Sequence, residues 1–428
     1  VKLPKFLQGN LVLKITSLNA VVITIRLVVS VFIQRLLALT VGEAGIANIG
    51  QVRNLLGMVT STSTLGTFSG IVKYVAEYRN NLKELSKLFS TALVFLVFGS
   101  LVSSLVLYFG SNYFSDYFFG SINYKYVFKL LAIIVPFIAL NRAINAVVNG
   151  LSEYRKYAII ELIGYLLAAV ALIIGLYTAD LKGVLIAISI APIIQLIVLL
   201  VVFGKRLSEF VKLKNLGFGL LYKNKLLAFT LMSFVSTFLL NYIELDIRTL
   251  VTDKLNINEA GYWTAINFIS KNYMVFASGL FTLYVLPKFA KIDNGKDFKN
   301  EVFHIYKTIL PIFGVGMLLV FGLRNYIIQF VYPEFLGMEP LFKWQLLGDF
   351  VRLCSLVLTH QFLAKRLVKS FIFTEIISLV LFFLLTNLFI QYYGTEGVVI
   401  AHFVRYVIYL LIVFFVVRYY FSSQAKRS

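Results

Sequence analysis

Five stretches apolar enough to cross a membrane each carry a single cation. Arg26 lies in LNAVVITIRLVVSVFI, Arg142 in LAIIVPFIALNRAINAVV, Lys271 in TAINFISKNYMVFASGL, Arg352 in LLGDFVRLCSLVL and Arg405 in VVIAHFVRYVIYLLIVFF. A charge at the bilayer centre costs about 2.5–3.5 kcal/mol even on lenient scales, so each of these side chains has to face a protein interior or a wet cavity. Arg53 adds a sixth cation, and carboxylates are too few to pair them all. The space they face is therefore net positive, and its natural occupant is an anion. Arginine suits phosphate oxygens in particular, because its planar fork binds two at once and it stays charged at any working pH. Followed along the direction of each span, Arg26, Lys271 and Arg352 fall near mid-membrane, Arg53 and Arg405 in the outer half and Arg142 in the inner half. Cations at several depths suit an anionic group that travels across.

The few carboxylates are placed suggestively. NYIELDIRTL carries Glu244, Asp246 and Arg248. Glu244 and Arg248 are four apart with the carboxylate first, the favourable helical pairing. Asp246 points about 160° away from Glu244 on a helix, which leaves it as the candidate for binding a proton or Na⁺ in ion coupling. Asp349, three residues before Arg352, is expected to form a local ion pair with it, and Glu161 and Glu375 are expected to bind basic loop residues. Lys73 and Lys365 lie near a membrane face and are expected to snorkel. No catalytic set is visible: no Ser-His-Asp arrangement, no phosphate-binding glycine loop and no acidic metal motif. His304, His360 and His402 are scattered without metal-ligand spacing, and the one cysteine, Cys354, excludes an intrachain disulfide and a cysteine-based metal cluster.

The elements that position these residues follow from composition. Of 428 residues 59% are hydrophobic and only 14% charged, against about 25% charged in a soluble domain; mean hydropathy is +0.85. Lipid has to be the solvent for most of this surface. A helix needs about 20 apolar residues to cross, and twelve segments qualify: 11–39, 46–75, 88–110, 124–149, 157–178, 183–204, 226–252, 259–287, 303–322, 338–363, 370–391 and 397–420. None reads as a cleavable signal peptide. The loops alternate in charge. One set holds roughly twenty-three cations, from Lys2 and Lys5 through Lys212 and Lys214 to Lys426 and Arg427, against four on the other. The positive-inside rule then places both termini in the cytoplasm. It also accounts for most of the +20 net charge without nucleic acid as a partner. The basic connection GKRLSEFVKLKNLGFGLLYKNK divides the chain into a lobe at 1–204, an amphipathic linker at 205–225 lying on the inner leaflet, and a second lobe at 226–428. RKYAIIELIG and KSFIFTEIIS, which open spans 5 and 11, hint at a parallel repeat.

Three stretches carry a resemblance: GEAGIANIGQVRNLLGMVTSTSTLGTFSGIVKYVAEYRNN, NEAGYWTAINFISKNYMVFASGLFTLYVLPKFAKI and WQLLGDFVRLCSLVLTHQFLAKRL. The chain resembles, nearly end to end, the Wzx-type flippases of undecaprenyl-pyrophosphate-linked glycans. These include the O-antigen and enterobacterial common antigen (lipid III) flippases, within the multidrug/oligosaccharidyl-lipid/polysaccharide exporter superfamily. The resemblance implies an all-α polytopic membrane protein with twelve transmembrane helices in two six-helix lobes around a central cavity. It implies alternating access, and movement of a lipid-linked oligosaccharide from the cytoplasmic to the periplasmic leaflet of the bacterial inner membrane. Arg26, Arg53, Arg142, Lys271, Arg352 and Arg405 become the expected holders of the pyrophosphate. Membrane lipids and the polysaccharide polymerase machinery are the further partners expected, and coupling to a proton or Na⁺ gradient takes the place of a cofactor. One position departs from the pattern: Lys271 stands in SKNY where the family carries a carboxylate, SDAY. Two other readings remain open, a multidrug/cation antiporter of the same fold and a polytopic polysaccharide polymerase or ligase. The first calls for an acidic cavity and the second for large outer loops, and the sequence offers neither.

Overall fold

The computed structural model describes residues 11–211 and 216–425, with side chains from Val21 onward except at 228, 278, 279, 282, 283, 287 and 425. The expected loop cations Lys2, Lys5, Lys212, Lys214, Lys426 and Arg427 lie outside the described residues. The described residues form fourteen α-helices: α1 (Leu11–Ser63), α2 (Phe68–Tyr78), α3 (Leu82–Phe109), α4 (Ser111–Phe119), α5 (Lys125–Gly150), α6 (Tyr154–Phe210), α7 (Lys223–Ser233), α8 (Leu240–Lys254), α9 (Ile257–Leu280), α10 (Leu286–Ala290), α11 (Gly295–Gly322), α12 (Arg324–Val331), α13 (Leu341–Ala364) and α14 (Val368–Ala425). No strand occurs among the described residues. Eight helices there are long and apolar enough to cross a membrane. The fold is all-α and polytopic.

Three helices are too long to be straight crossings. α6 has 57 residues and α14 has 58, about 85 Å each at 1.5 Å per residue, against a hydrocarbon core of about 30 Å. Each is broken where the backbone leaves helical geometry: α1 at Gly42 (φ 62°), α6 at Ala179 and Asp180 (φ 48° at Asp180), α14 at Gly394 (φ 56°). At the α6 break the two arms close tightly. A Cβ added to Gly183 would lie 1.9 Å from the Gly175 carbonyl oxygen, so only glycine permits this approach. Two π-helical segments, Phe234–Leu239 and Phe281–Val285, interrupt the α7–α8 and α9–α10 stretches.

The chain divides into two compact units. Unit 1 comprises Val1–Leu37 and Gln51–Tyr242. Its core is built from α2, α3, α5 and α6 around Ile71, Leu85, Leu88, Val148, Ile160 and Phe203. The segment entering α7 closes on this core. The Gly217 amide donates to Ser90 Oγ at 3.1 Å, the Tyr222 amide donates to Thr91 Oγ1 at 3.3 Å, and the Tyr222 hydroxyl donates to Glu84. The surface helix expected at 205–225 falls partly outside the described residues. α6 runs through Phe210, 212–215 lie outside the described residues, and 216–222 are irregular, with the Gly217 and Tyr222 amides bonded to α3.

Unit 2 comprises Ala38–Gly50 and Ile243–Ser428. α13 is its central helix, packed against α9, α10, α11 and α14. The short piece of α1 in this unit lies close on α8 and α9: a Cβ on Gly261 would meet the Glu43 carbonyl oxygen at 2.3 Å, and one on Gly50 would meet Thr264 and Arg248.

Candidate functional site

In unit 1, α1 presents both of its expected cations to α6. Arg26 Nη1 lies 2.8 Å from Glu161 Oε2, and its guanidinium lies 5.0 Å from the centre of the Tyr165 ring. Tyr165 also lines a cavity of about 270 Å³ whose wall includes Arg53, Gln34, Thr60 and Gln195. With the Gln34 amide oxygen turned toward Arg53, it accepts from both Nη atoms at 3.1 and 3.2 Å. Tyr165 thus touches Arg26 and shares a cavity wall with Arg53. Arg142 on α5 stacks 3.7 Å from the Phe68 ring centre, while its neighbour Asn141 donates to Gln195 at 3.3 Å. Arg142 forms no ion pair among the described residues. Glu161 corrects an expectation: it holds the intramembrane Arg26, 135 residues away in sequence, rather than a loop cation.

Unit 2 repeats the theme on different helices. Arg352 on α13 and Arg405 on α14 both lie over Tyr406, at 5.7 and 4.2 Å, and Arg405 is also 4.4 Å from the centre of Phe382. Arg405 is 3% exposed, and its Nε and Nη1 have no hydrogen-bond partner. Aromatic faces offset part of the cost of a desolvated guanidinium, by up to about 2 kcal/mol, but they do not fill its N–H donors. A cation held this way keeps donors open to an acceptor.

Lys271 is more accessible, with a side chain 54% exposed, and its Nζ lies 2.5 Å from Glu244 Oε2. The spacing of Glu244 and Arg248 pointed to each other. Glu244 also meets Lys271, and Arg248 Nε donates to Thr264 Oγ1 at 2.7 Å with its guanidinium over Trp263. Asp246, the coupling candidate, is half-buried between these two residues on α8.

The residue that sequence reasoning placed wrongly is Asp349. It forms no ion pair with Arg352. Fully buried, it accepts from Ser270 Oγ and Tyr273 OH, from Gln345 Nε2 at 3.2 Å, and meets His402 Nε2 at 3.0 Å. His402 is thus no isolated histidine. The one signal available beforehand was that Gln345 and Asp349 are four apart on one helix face. Although a serine, a histidine and an aspartate meet here, the order of bonds is wrong for nucleophilic catalysis. Ser270 and His402 both address Asp349, so no imidazole is aimed at the serine hydroxyl. No group of three or more metal-ligating residues is found among the described residues. The arrangement supports binding and release of an anion by arginines held on aromatic rings.

No family model matches the chain. Among curated proteins it is similar to the lipid III flippases of Escherichia coli strain K12 and Shigella flexneri. With each it is 24% identical over 390 residues, covering 90% of this chain and 93% of the relative. Among solved structures it is similar to an inward-facing multidrug resistance MATE family transporter of the MOP superfamily, with a TM-score of 0.79 at 13% identity, covering 94% of this chain and 96% of that one. It is also similar to the lipid II flippase MurJ in an inward closed conformation, with a TM-score of 0.70 at 17% identity, covering 94% and 87%. The chain has the fold of these transporters.

Proposed function

We propose that this chain is a flippase of the Wzx type, moving a polyprenyl-pyrophosphate-linked oligosaccharide from the cytoplasmic to the periplasmic leaflet by alternating access. The observation that carries the reading is the match to lipid III flippases along nine-tenths of the chain. The site chemistry agrees with it. A lipid-linked pyrophosphate carries charges that hydrocarbon does not accept, so the protein has to replace their lost hydration with fixed cations. Arg405, buried with open donors, and Arg142 and Arg352, which form no ion pair among the described residues, are suited to that task. Charge-assisted hydrogen bonds contribute about 1.5–3 kcal/mol each, so two or three hold the group without trapping it.

Several finer points belong to this reading. The breaks in α1, α6 and α14 support two crossings from each, and with the other long helices a total of twelve. Arg26, Arg53, Arg142, Lys271, Arg352 and Arg405 take the pyrophosphate in turn, Arg26 and Lys271 by exchanging their carboxylates for it. Asp246 responds to a proton or Na⁺ gradient. The loop charges place the termini in the cytoplasm of a bacterial inner membrane, and a polysaccharide polymerase takes the product. The fold is shared with multidrug transporters, but a cationic substrate finds little to bind where arginines outnumber their carboxylates.

The test is genetic. Expressed in a strain that lacks its lipid III flippase, the chain should restore surface glycan, measured by immunoblot against the glycan. Normal membrane abundance without any surface glycan, for this and for O-antigen-deficient hosts alike, would remove the reading.

A further inference from the structure

Unit 2 contains a groove of about 960 Å³ between α11 and the last turns of α14, floored by Leu358 of α13. Most of its wall is apolar: Tyr306, Leu411, Phe414 and Phe421 are the larger contributors. One end is different. Lys296 and Lys299, in the first turns of α11, and Arg418, near the end of α14, line it together. No carboxylate lines the groove, and none of these three cations forms an ion pair among the described residues. The neighbouring acids are already engaged elsewhere. Asp293 holds Lys365 at 2.7 Å, Glu301 takes Lys288 at 3.6 Å and the Tyr284 hydroxyl at 3.0 Å, and Asp297 accepts from Asn294 at 2.6 Å. The groove is also firmly built. Phe298 and Phe421 meet with ring centres 4.9 Å apart, and Tyr306 donates to the Cys354 carbonyl at 2.8 Å.

We infer that this groove is a site for one anionic glycerophospholipid, its phosphate held by Lys296, Lys299 and Arg418 and an acyl chain laid along Phe414 and Leu411 toward Tyr306. Two dimensions favour this occupant. From Lys296 to Tyr306 is ten residues, or about 15 Å along a helix, half of a hydrocarbon core of about 30 Å. The groove is one leaflet deep, the reach of a phospholipid chain rather than of a polyprenyl tail. Its three uncompensated cations sit where a phosphate at the membrane face would lie, and basic pockets between transmembrane helices recognise anionic headgroups in this way. A zwitterionic lipid brings its own ammonium group and gains little from them. Lipid retention is independent of flipping, so this site stands or falls apart from the transport reading.

The experiment is native mass spectrometry of the full chain, purified in mild detergent and titrated with cardiolipin, phosphatidylglycerol, phosphatidylethanolamine or undecaprenyl phosphate. One cardiolipin or phosphatidylglycerol should be retained preferentially over phosphatidylethanolamine. Lys296→Gln/Lys299→Gln/Arg418→Gln should weaken that adduct at least tenfold with phosphatidylethanolamine binding unchanged. Leu411→Trp, which narrows the groove and leaves every cation in place, should weaken it too. If the triple variant does not fold, Arg418→Gln alone should weaken it about threefold, and unchanged binding in it overturns the site. So does equal retention of phosphatidylethanolamine, and so does displacement of the phospholipid by undecaprenyl phosphate at lower concentration.

Discussion

His402 Nε2 and Asp349 Oδ1 lie 3.0 Å apart and join α14 to α13 where both residues are closed to solvent. Removing the carboxylate strands donors from Ser270, Tyr273 and Gln345 as well, and each stranded buried group costs about 1–3 kcal/mol. Asp349→Ala is therefore expected to lower the temperature at which purified protein loses monodispersity by several degrees. Asp349→Asn, which keeps the shape and one acceptor oxygen, should lose less. A double-mutant cycle between Asp349→Ala and His402→Ala should be strongly non-additive, because the two share one network; additive losses would show that the contact does not couple the helices.

Arg352 and Arg405 share Tyr406 and form no ion pair among the described residues. Arg352→Ala or Arg405→Ala should reduce surface glycan tenfold or more at unchanged membrane abundance. Lysine at either position should rescue partly, since charge survives but the two-pronged geometry does not. Lys73→Ala is the control and should be milder. Undiminished glycan in the Arg352/Arg405 double alanine variant would place the anion elsewhere.

Arg26 differs because Glu161 already neutralises it. Arg26→Ala should reduce glycan tenfold or more, and the exchange Arg26→Glu/Glu161→Arg separates two roles. A pair that only fastens α1 to α6 recovers activity on exchange, whereas a cation that must meet the substrate at its own depth does not. The expected outcome is a stable exchanged protein, equal to wild type in thermal unfolding, with glycan still at least fivefold down.

Asp246 carries the coupling proposal. In proteoliposomes with imposed gradients, Asp246→Asn should abolish the response of transport to a proton or Na⁺ gradient while leaving substrate binding intact. A full response to both gradients in the variant would take Asp246 out of the mechanism.

The fold class and the cations were legible for a plain reason: hydropathy and isolated charges are local signals, and lipid makes both extreme. Partner choice was not legible. Arg26 and Glu161 are 135 residues apart and Asp349 and His402 are 53 apart, and no spacing rule reaches that far. The local rules misled where tertiary donors competed. Asp349 and Arg352 sit three apart on α13, but four interior donors captured the carboxylate. The contacts that Glu244 and Arg248 make with Lys271 and Thr264 of α9 likewise lay beyond any spacing rule. Of the helix expected at 205–225, α6 supplies the part through Phe210, 212–215 lie outside the described residues, and Tyr222 is packed into unit 1.

The assignment of Ala38–Gly50 to unit 2 has a consequence for how the protein is made. Glu43 and its close neighbour Gly261 are separated by 218 positions (261 − 43). At about 5–20 residues per second of synthesis, roughly 10–45 s pass between them. Through that interval the first helix has already been delivered to the membrane with its tightest-fitting backbone facing nothing of its own. Unit 2 is thus completed by a piece made among the earliest. A ribosome stalled halfway, or a gene cut at the basic connection, yields a second half that lacks part of its own packing. Co-expression of the two halves, not the second half alone, is the route to a folded unit 2.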